Sequence, residues 1–148
     1  MSAPGGRPLI EVLNGVNLDQ LGHRDPAVYG TLTLAEQEGH ALGLEVRCFQ
    51  TNHEGAYVER LHAARGAASG LVLNPGAWTH YSWAIRDALE IAALPAVEVH
   101  LSDPMAREEW RHRSVLDGLC FGAVRGRGPD GYRDALALLR ERLEEERT

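Results

Sequence analysis

Short apolar runs recur along the chain, and longer segments with helical periodicity separate them. The apolar runs cover residues 9–13, 44–49, 70–74, 96–101 and 119–124. They are rich in Val, Leu and Ile and alternate little between apolar and polar positions, which is typical of parallel strands covered on both faces. The pattern therefore predicts five buried β-strands.

The segments between these runs predict helices. Apolar residues three and four positions apart indicate amphipathic helices over residues 54–67, 81–92 and 130–146. Residues 32–42 are the predicted first crossover helix, and the charged segment 104–114 is a predicted short helix beginning at its proline. In the helix over 81–92, the predicted buried face consists of Ala84, Ile85, Ala88 and Ile91.

The alternation of strands and helices predicts an α/β fold. Five strands in this length fit a flavodoxin-like, doubly wound five-stranded parallel sheet of order 2-1-3-4-5. The 148 residues suffice for one domain with a buried core. We expect residues 1–8 to form a flexible N-terminal tail and residues 9–148 to form a single catalytic domain. No signal-peptide pattern is visible, so a cytoplasmic location is expected.

Composition removes several classes of function. The net charge is −6, and all 15 basic residues are arginine, which excludes lysine Schiff-base chemistry and a Walker lysine. The charge also disfavours nucleic-acid binding, and no apolar run approaches the ~18 residues of a membrane span. Cys48 and Cys120 lie within apolar runs, where buried thiols are expected rather than a disulfide or a metal site. No metal-ligand spacing and no dinucleotide fingerprint is present, so neither a metal nor a cofactor is predicted.

Polar residues collect immediately after the predicted strands. The segments are 14–17, 50–55, 74–82, 100–103 and 126–128. Ligands of open parallel sheets bind outside the carboxyl ends of the strands. The sequence therefore predicts a site for a small polar ligand along this edge.

Several of these residues have a structural interpretation as well as a functional one. His80 could be a helix N-terminal residue with a satisfied ring, and His100 could be a core residue or a ligand. Glu98 lies in an apolar run, where a carboxylate is costly unless it is paired. Its separation of two residues from His100 predicts an acid–histidine pair that fixes the tautomer. Arg107, Arg111 and Arg113 could cover a solvated helix face or bind an anionic substrate.

The loop after the first strand raises its own question. Residues 21–30, LGHRDPAVYG, carry Arg24 and Tyr29 between two glycines. They could form a surface connection or a lid that brings a base to a substrate. A free tyrosine has a pKa of about 10, and a cation ~4 Å away contributes about 4 kcal/mol at an effective dielectric of 20. An arginine closed over the site could therefore make a tyrosine a base near neutral pH.

Five blocks of sequence, in order, resemble the type II 3-dehydroquinate dehydratases. They are LNGVNLDQLGHRDPAVYG, QTNHEG, NPGAWTHYSWAIRDA, EVHLSDPMAREEWRHRS and a final G-x-G-x-x-G-Y. The resemblance implies dehydration of 3-dehydroquinate to 3-dehydroshikimate in the shikimate pathway, by anti elimination through an enolate and without metal or cofactor. It also implies a homododecamer built from trimers.

The resemblance also implies a role for individual residues. Tyr29 would take the C2 proton, Arg24 would favour its phenolate, and His100 would protonate the departing hydroxyl. Glu98 would orient His100, and Asn17 would hold the water that stabilises the enolate. The residues implied to hold the substrate's carboxylate and hydroxyls are Asn74, His80, Leu101, Ser102 and Arg111. Asp87 is implied to reach into the site of a neighbouring subunit.

The chain departs from the family pattern near these positions. The departures are Val16, Tyr81, Trp83, Asp103, Arg125 and Arg127, together with a first helix that looks short. Asp103 would add an anion near the predicted carboxylate pocket. Three interpretations follow: an active dehydratase, a diverged relative that acts on a related cyclic hydroxy-keto acid or has lost catalysis, and a flavodoxin-like binding protein without chemistry.

Overall fold

A five-stranded parallel sheet forms the centre of the computed structural model, which describes residues 6–20 and 35–147. The strands are β1 Leu9–Asn14, β2 Glu45–Gln50, β3 Gly70–Asn74, β4 Ala96–His100 and β5 Gly122–Arg125. All neighbouring pairs are parallel, and the order across the sheet is β2-β1-β3-β4-β5. The predicted fold class and strand order are confirmed.

Helices follow the strands, and short 3₁₀ turns lie in the loops after β1, β3 and β4. The helices are α1, with helical residues 35–41, α2 Glu54–Ala64, α3 Trp83–Ala92 and α4 Asp130–Arg147. The 3₁₀ turns are Leu18–Gln20, Gly76–His80, Pro104–Ala106 and Glu109–His112. The predicted helix over 104–114 is wrong, because the backbone is extended at Arg107 and divides the segment into two separate turns.

Two apolar layers cover the two faces of the sheet, which explains why apolar and polar residues do not alternate along the strands. Leu9 and Leu13 of β1 pack with α2 and α3, whereas Ile10 and Val12 pack with α1 and α4. Successive strand residues point to opposite faces. Because both faces are covered, both sets of positions must be apolar.

Three boundaries of the described elements differ by two or more residues from the sequence predictions, and so does one helix face in its buried residues. β5 begins at Gly122 rather than at 119, because Leu119 N bonds to Leu116 O in a turn while its side chain still packs against the core. α2 ends at Ala64, and α3 begins after Ser82, whose Oγ accepts the Ile85 N–H. The buried residues of α3 are Ile85, Ala88, Leu89 and Ala92, whereas Ala84 and Ile91 are exposed.

Gly39 lets α1 approach the sheet closely. A Cβ built on Gly39 would lie 2.2 Å from Cγ2 of Val46 on β2, a contact that no side chain can make. Glycine lowers helix propensity by about 1 kcal/mol relative to alanine. At this position the close contact between helix and strand requires it nevertheless.

A buried ion pair joins β1 to α2. The Glu11 side chain is 2% exposed, and both Nε and Nη2 of Arg60 donate to its Oε1, at 2.9 and 2.5 Å. The same guanidinium lies over the Phe49 ring, 4.8 Å from its centroid. The arginine thus compensates a carboxylate that the strand places in an apolar layer.

We expect Arg60→Met to destabilise the fold by about 3 kcal/mol, because it leaves the Glu11 carboxylate buried and unpaired. Arg140→Met is the matched control, since Arg140 pairs with Glu144 on the exposed side of α4, and it should cost about 0.5 kcal/mol or less. Urea unfolding at equal protein concentration measures both. Equal losses of unfolding free energy for the two variants would show that the buried ion pair contributes no more to stability than the exposed one.

Candidate active site

A cavity of about 560 Å³ opens at the carboxyl ends of β1, β3 and β4. The loops after these three strands form its walls. The residues that line it are Val16, Asn17, Leu18, Gln20, Asn74, Gly76, Ala77, His80, His100, Leu101, Ser102, Pro104, Arg107 and Arg111. Polar and cationic side chains from distant parts of the chain thus converge on one space.

Asn17 lies in the turn after β1 in a left-handed backbone conformation, with φ 67°. Asparagine tolerates this region better than most residues. Its N–H donates to Oδ1 of Asn52, at 2.8 Å, and Gln50 Nε2 donates to the Gly15 carbonyl, at 3.1 Å. Two side chains from the end of β2 thereby hold the turn that presents Asn17.

A buried tyrosine connects the ends of β1 and β3. Tyr132 of α4 donates its hydroxyl proton to Oδ1 of Asn14, at 2.6 Å, and accepts from Nδ2 of Asn74, at 3.0 Å. Asn14 and Asn74 are register partners on the two strands. Burial raises the pKa of the Tyr132 hydroxyl, so it keeps its proton at neutral pH.

β4 places Glu98 and His100 on the same face, and the two side chains are paired. His100 Nε2 donates to Glu98 Oε2, at 2.5 Å, and Ser114 Oγ donates to Glu98 Oε1, at 2.9 Å. Both carboxylate oxygens therefore have partners. Because Nε2 is committed to Glu98, Nδ1 is the ring nitrogen left to exchange a proton with a ligand.

The Glu98 carboxyl stays ionised although it is only 2% exposed. Burial alone would raise its pKa, but the hydrogen bonds from His100 and Ser114 and the nearby Arg125 outweigh burial and hold the pKa below its usual value. A negative charge is thus fixed directly behind the imidazole of His100. The imidazole therefore has an anionic hydrogen-bond partner on its Nε2 side.

His80 lies beside His100 with a defined tautomer. Its Nδ1 donates to the Arg113 carbonyl, at 2.7 Å, and the two imidazole rings stack with centroids 6.2 Å apart. Burial lowers the pKa of His80, which favours the neutral ring. Its Nε2 is then a hydrogen-bond acceptor, suited to a ligand hydroxyl.

Arginines supply positive charge on one side of the cavity. Nη1 of Arg107 donates to Oγ of Ser102, at 3.4 Å, and Arg111 pairs with Glu108 and lies over the Trp110 ring. Among residues 6–20 and 35–147, no Asp or Glu lines the cavity. The cavity therefore suits a small anion that carries hydroxyl groups.

The predicted site residues fall into four groups in this geometry. Those that line the cavity are Asn17, Asn74, His80, His100, Leu101, Ser102 and Arg111. Glu98 lies behind His100, and Asp87 is exposed on α3 away from the described lining. Tyr29 and Arg24, with the predicted lid over 21–30, lie outside the described residues.

Sequence reasoning missed three contributors. The sequence does not decide whether Arg107 covers a solvated surface or binds the substrate. It indicates no role in the site for Ser114 or Tyr132, although both lie in the sequence blocks quoted above. The available signal for Ser114 is that it is the polar residue at the end of one of these sequence blocks. No comparable signal shows that the Tyr132 hydroxyl faces two asparagines.

Most departures from the family pattern lie off the described cavity wall. Asp103 does not line the cavity itself but lies between the lining residues Ser102 and Pro104, and its Oδ1 accepts the Met105 N–H and caps the following turn. Arg127 pairs with Asp134, at 2.8 Å, and Tyr81 is exposed. Trp83 is likewise exposed, and Arg125 lines a separate cavity of about 170 Å³ behind His100. Only Val16, among the six, lines the main cavity.

The part of the chain that the structure describes contains neither a metal-ligand cluster nor a membrane-spanning helix. No group of three or more His, Cys, Asp or Glu residues there could hold a metal ion. No described helix is long and apolar enough to cross a membrane. Burial raises the pKa of both Cys48 and Cys120 to about 12, so neither thiol is a ready nucleophile at neutral pH.

The fold and the cavity define a class of protein: a doubly wound α/β protein with a histidine–glutamate pair and an arginine-lined pocket at the switch point of its sheet. Residues 8–140 match the family model described as dehydroquinase class II. The chain belongs to the class II dehydroquinase family.

Curated relatives and solved structures are similar over nearly the whole chain. The chain is 51% identical to 3-dehydroquinate dehydratase 2 of Pseudomonas putida, over 94% of this chain and 97% of that one. It is 48% identical to a 3-dehydroquinate dehydratase of Bacillus cereus, over 90% and 96%. The type II dehydroquinase structure from Propionibacterium acnes superposes with a TM-score of 0.83, at 40% identity over 90% and 97%.

The contact between Ser114 and Glu98 makes stability depend on pH. The folded-state pKa of Glu98 lies below its ordinary value of 4.5. The carboxylate therefore contributes stability above about pH 4.5 that is lost as the pH falls through the folded-state pKa. We expect Ser114→Ala to raise the folded-state pKa and to cost about 2 kcal/mol at pH 7. This cost should shrink as the pH falls below about 4.5, since a protonated Glu98 no longer needs the donor.

The matched control is Ser82→Ala, which removes a buried hydroxyl that caps α3. It should cost about 1 kcal/mol with no dependence on the charge of Glu98. Chemical unfolding between pH 7 and pH 3.5 measures both variants. A Ser114→Ala cost that stays constant over this range would contradict the coupling to an ionised Glu98.

Proposed function

We propose that the protein dehydrates 3-dehydroquinate to 3-dehydroshikimate, as a hydro-lyase of the shikimate pathway that leads to chorismate and the aromatic amino acids. The observation that carries this proposal is the His100–Glu98 pair at the wall of an arginine-lined cavity. The substrate is a cyclic anion with hydroxyl groups and a ketone. Such a molecule needs cations, hydroxyl partners and an acid that can protonate a departing hydroxyl.

The acid step follows from the geometry of His100. In its protonated form, the ring donates Nε2–H to Glu98 and has Nδ1–H available for the substrate. Transfer of the Nδ1 proton to the departing hydroxyl releases water and leaves the imidazole neutral. The Glu98 charge stabilises the imidazolium before transfer, and Ser114 keeps that carboxylate ionised and in place.

The base step involves Tyr29 and Arg24. We propose that the Tyr29 phenolate removes the C2 proton to give an enolate, and that the Arg24 cation stabilises the phenolate. The enolate then expels the hydroxyl in an anti elimination. Asn17 would hold the water that stabilises the enolate. The hydrogen bond from the Asn17 backbone N–H to Asn52 Oδ1 supports that placement.

The substrate is held by residues that line the cavity. We assign the contacts to its carboxylate and hydroxyls to Asn74, His80, Leu101, Ser102 and Arg111. Arg107 joins this set, because it lines the same cavity and bonds to Ser102. The neutral His80 offers an acceptor for a substrate hydroxyl. None of these steps requires a metal or a cofactor.

The proposed setting is the cytoplasm, with a small molecule as the substrate. No disulfide joins Cys48 and Cys120, as expected for a reducing compartment. The net charge of −6 argues against nucleic acid or anionic membrane as a partner.

Purified protein supplied with 3-dehydroquinate should generate the ultraviolet absorbance of a conjugated enone. Tyr29→Phe should reduce kcat by about 10²–10⁴-fold, the usual contribution of a general base. Tyr81→Phe is the matched control, because Tyr81 is exposed and off the described cavity wall, and it should keep full activity. Absence of product at high enzyme concentration would refute the dehydratase. Full activity of Tyr29→Phe would refute the base alone.

We propose further that the chain assembles into a homododecamer built from trimers. The outer side of α3 supports assembly, because Trp83, Asp87 and Ile91 lie four residues apart and are all exposed. The side chains of Trp83 and Ile91 are 57% and 50% exposed, which is unusual for large apolar residues on one helix row. A second chain packed on this row would cover both and bring Asp87 towards a neighbouring cavity.

Light scattering on the purified protein should give about 194 kDa, the mass of twelve chains of 16.2 kDa. Ile91→Arg should reduce the mass, since it places a charge on the proposed contact row without disturbing the monomer core. Ala63→Arg adds the same charge at an exposed position of α2 and should leave the assembly intact. A wild-type mass of 16.2 kDa would refute the dodecamer.

A further inference from the structure

Tyr132 belongs to none of the loops that form the cavity, yet it touches two of the strand ends. It lies near the start of α4 and is 3% exposed, within the apolar layer formed by Ala135, Leu136 and other residues. Its hydroxyl reaches Asn14 at the end of β1 and Asn74 at the end of β3. Of these two asparagines, Asn74 lines the cavity.

Hydrogen-bond accounting fixes the direction of this chain of contacts. A tyrosine hydroxyl has one proton to donate, and here it goes to Oδ1 of Asn14. The oxygen then accepts from Nδ2 of Asn74. A protonated hydroxyl bonded in this way favours one of the two possible orientations of the Asn74 amide, with Nδ2 towards α4 and Oδ1 towards the Gly76 N–H, 3.4 Å away.

We propose that Tyr132 is a positioning residue of this active site, whose hydroxyl sets the amide orientation with which Asn74 meets the substrate. The inference rests on the proposed function, since it takes Asn74 as a substrate contact. Without the hydroxyl, Nδ2 of Asn74 loses this partner, and only the long contact from the Gly76 N–H, at 3.4 Å, then opposes rotation of the amide about its last torsion. The cavity would then present donor and acceptor in either order.

Substrate binding should be the step that changes. The proposed function takes Asn74 as a substrate contact and gives the proton transfers to other residues, so its contribution should be similar in the ground state and the transition state. Loss of such an interaction raises KM and leaves kcat nearly unchanged. A defect of His100 or Tyr29 would lower kcat instead.

The fold supplies a matched control in a second buried tyrosine. The Tyr57 hydroxyl donates to the Leu13 carbonyl, at 2.9 Å, and the residue is 0% exposed. Both Tyr57→Phe and Tyr132→Phe remove one buried hydroxyl and keep the ring. Only the Tyr132 hydroxyl bonds to a cavity side chain, so a purely structural effect should be shared by the two variants.

We expect Tyr132→Phe to raise KM for 3-dehydroquinate about 10-fold with kcat within about 3-fold of wild type, the size of one lost hydrogen bond. Tyr57→Phe should leave KM within about 2-fold. In an Asn74→Ala background, Tyr132→Phe should change KM by less than about 2-fold, because the group it orients is gone. Equal KM effects of the two tyrosine variants, or an undiminished effect in the Asn74→Ala background, would overturn the positioning role.

A substrate-free measurement separates this proposal from the proposed function. The effect of Tyr132→Phe on the unfolding equilibrium should be smaller in the Asn74→Ala background than in wild type, because the bond to Asn74 is then already absent while the bond to Asn14 is still lost. If wild type fails to turn over 3-dehydroquinate, the dehydratase assignment falls, and the positioning role in that reaction falls with it. If wild type is active and no coupling is seen in unfolding or in KM, only the positioning role is refuted.

Discussion

The site depends on one constraint of the sheet topology, which is that the chain leaves the ends of the neighbouring strands β1 and β3 towards opposite sides of the sheet. The sheet order places β2 beyond β1 and places β4 and β5 beyond β3, so the loops after β1 and β3 separate and leave a crevice between them. One residue past the paired strands, Gly15 N still bonds to Asn74 O, at 2.8 Å, and a Cβ on Gly15 would lie 2.3 Å from the Pro75 oxygen. The floor of the crevice is therefore closed tightly by backbone, and only the side chains above it are free to meet a ligand.

Two carboxylates carry the same desolvation cost of burial but have partners of different kinds. Glu11 and Glu98 are each 2% exposed. Glu11 meets a permanent cation, Arg60, and the pair joins a strand to a helix. Glu98 meets His100, a partner that can lose its proton, and a neutral donor, Ser114. A permanent cation in place of His100 would satisfy Glu98 equally well but would provide no acid, so the choice of hydrogen-bonded partner turns a structural ion pair into a candidate proton donor.

The fold was accessible from sequence because its signal is repeated in every strand. Apolar positions on both faces indicate a parallel sheet, and a separation of two residues places Glu98 and His100 on one face without any knowledge of tertiary contacts. Contacts between distant segments were not accessible in this way. The Tyr132 hydroxyl meets Asn14 across 118 positions, and helical periodicity describes only the apolar ring that carries it. The predicted buried face of α3 was partly wrong for a related reason, since Ala84 and Ile91 obey helical spacing but are exposed.

The charge of the cavity must oppose that of the whole chain if an anion is to bind. The net charge is −6, yet the described wall of the cavity carries Arg107 and Arg111 and no carboxylate. At physiological ionic strength charges are screened over about 8 Å, so the nearby guanidinium groups outweigh the distant acidic surface. Arg111 is also paired with Glu108, whose pKa is lowered chiefly by that hydrogen bond. A bound carboxylate would therefore compete with Glu108 for the guanidinium of Arg111, and only the excess over that exposed contact would contribute to affinity. Arg107 donates to the neutral hydroxyl of Ser102 and affects Glu108 less than the hydrogen-bonded Arg111 does, and for this reason it should contribute more to anion binding than Arg111 does.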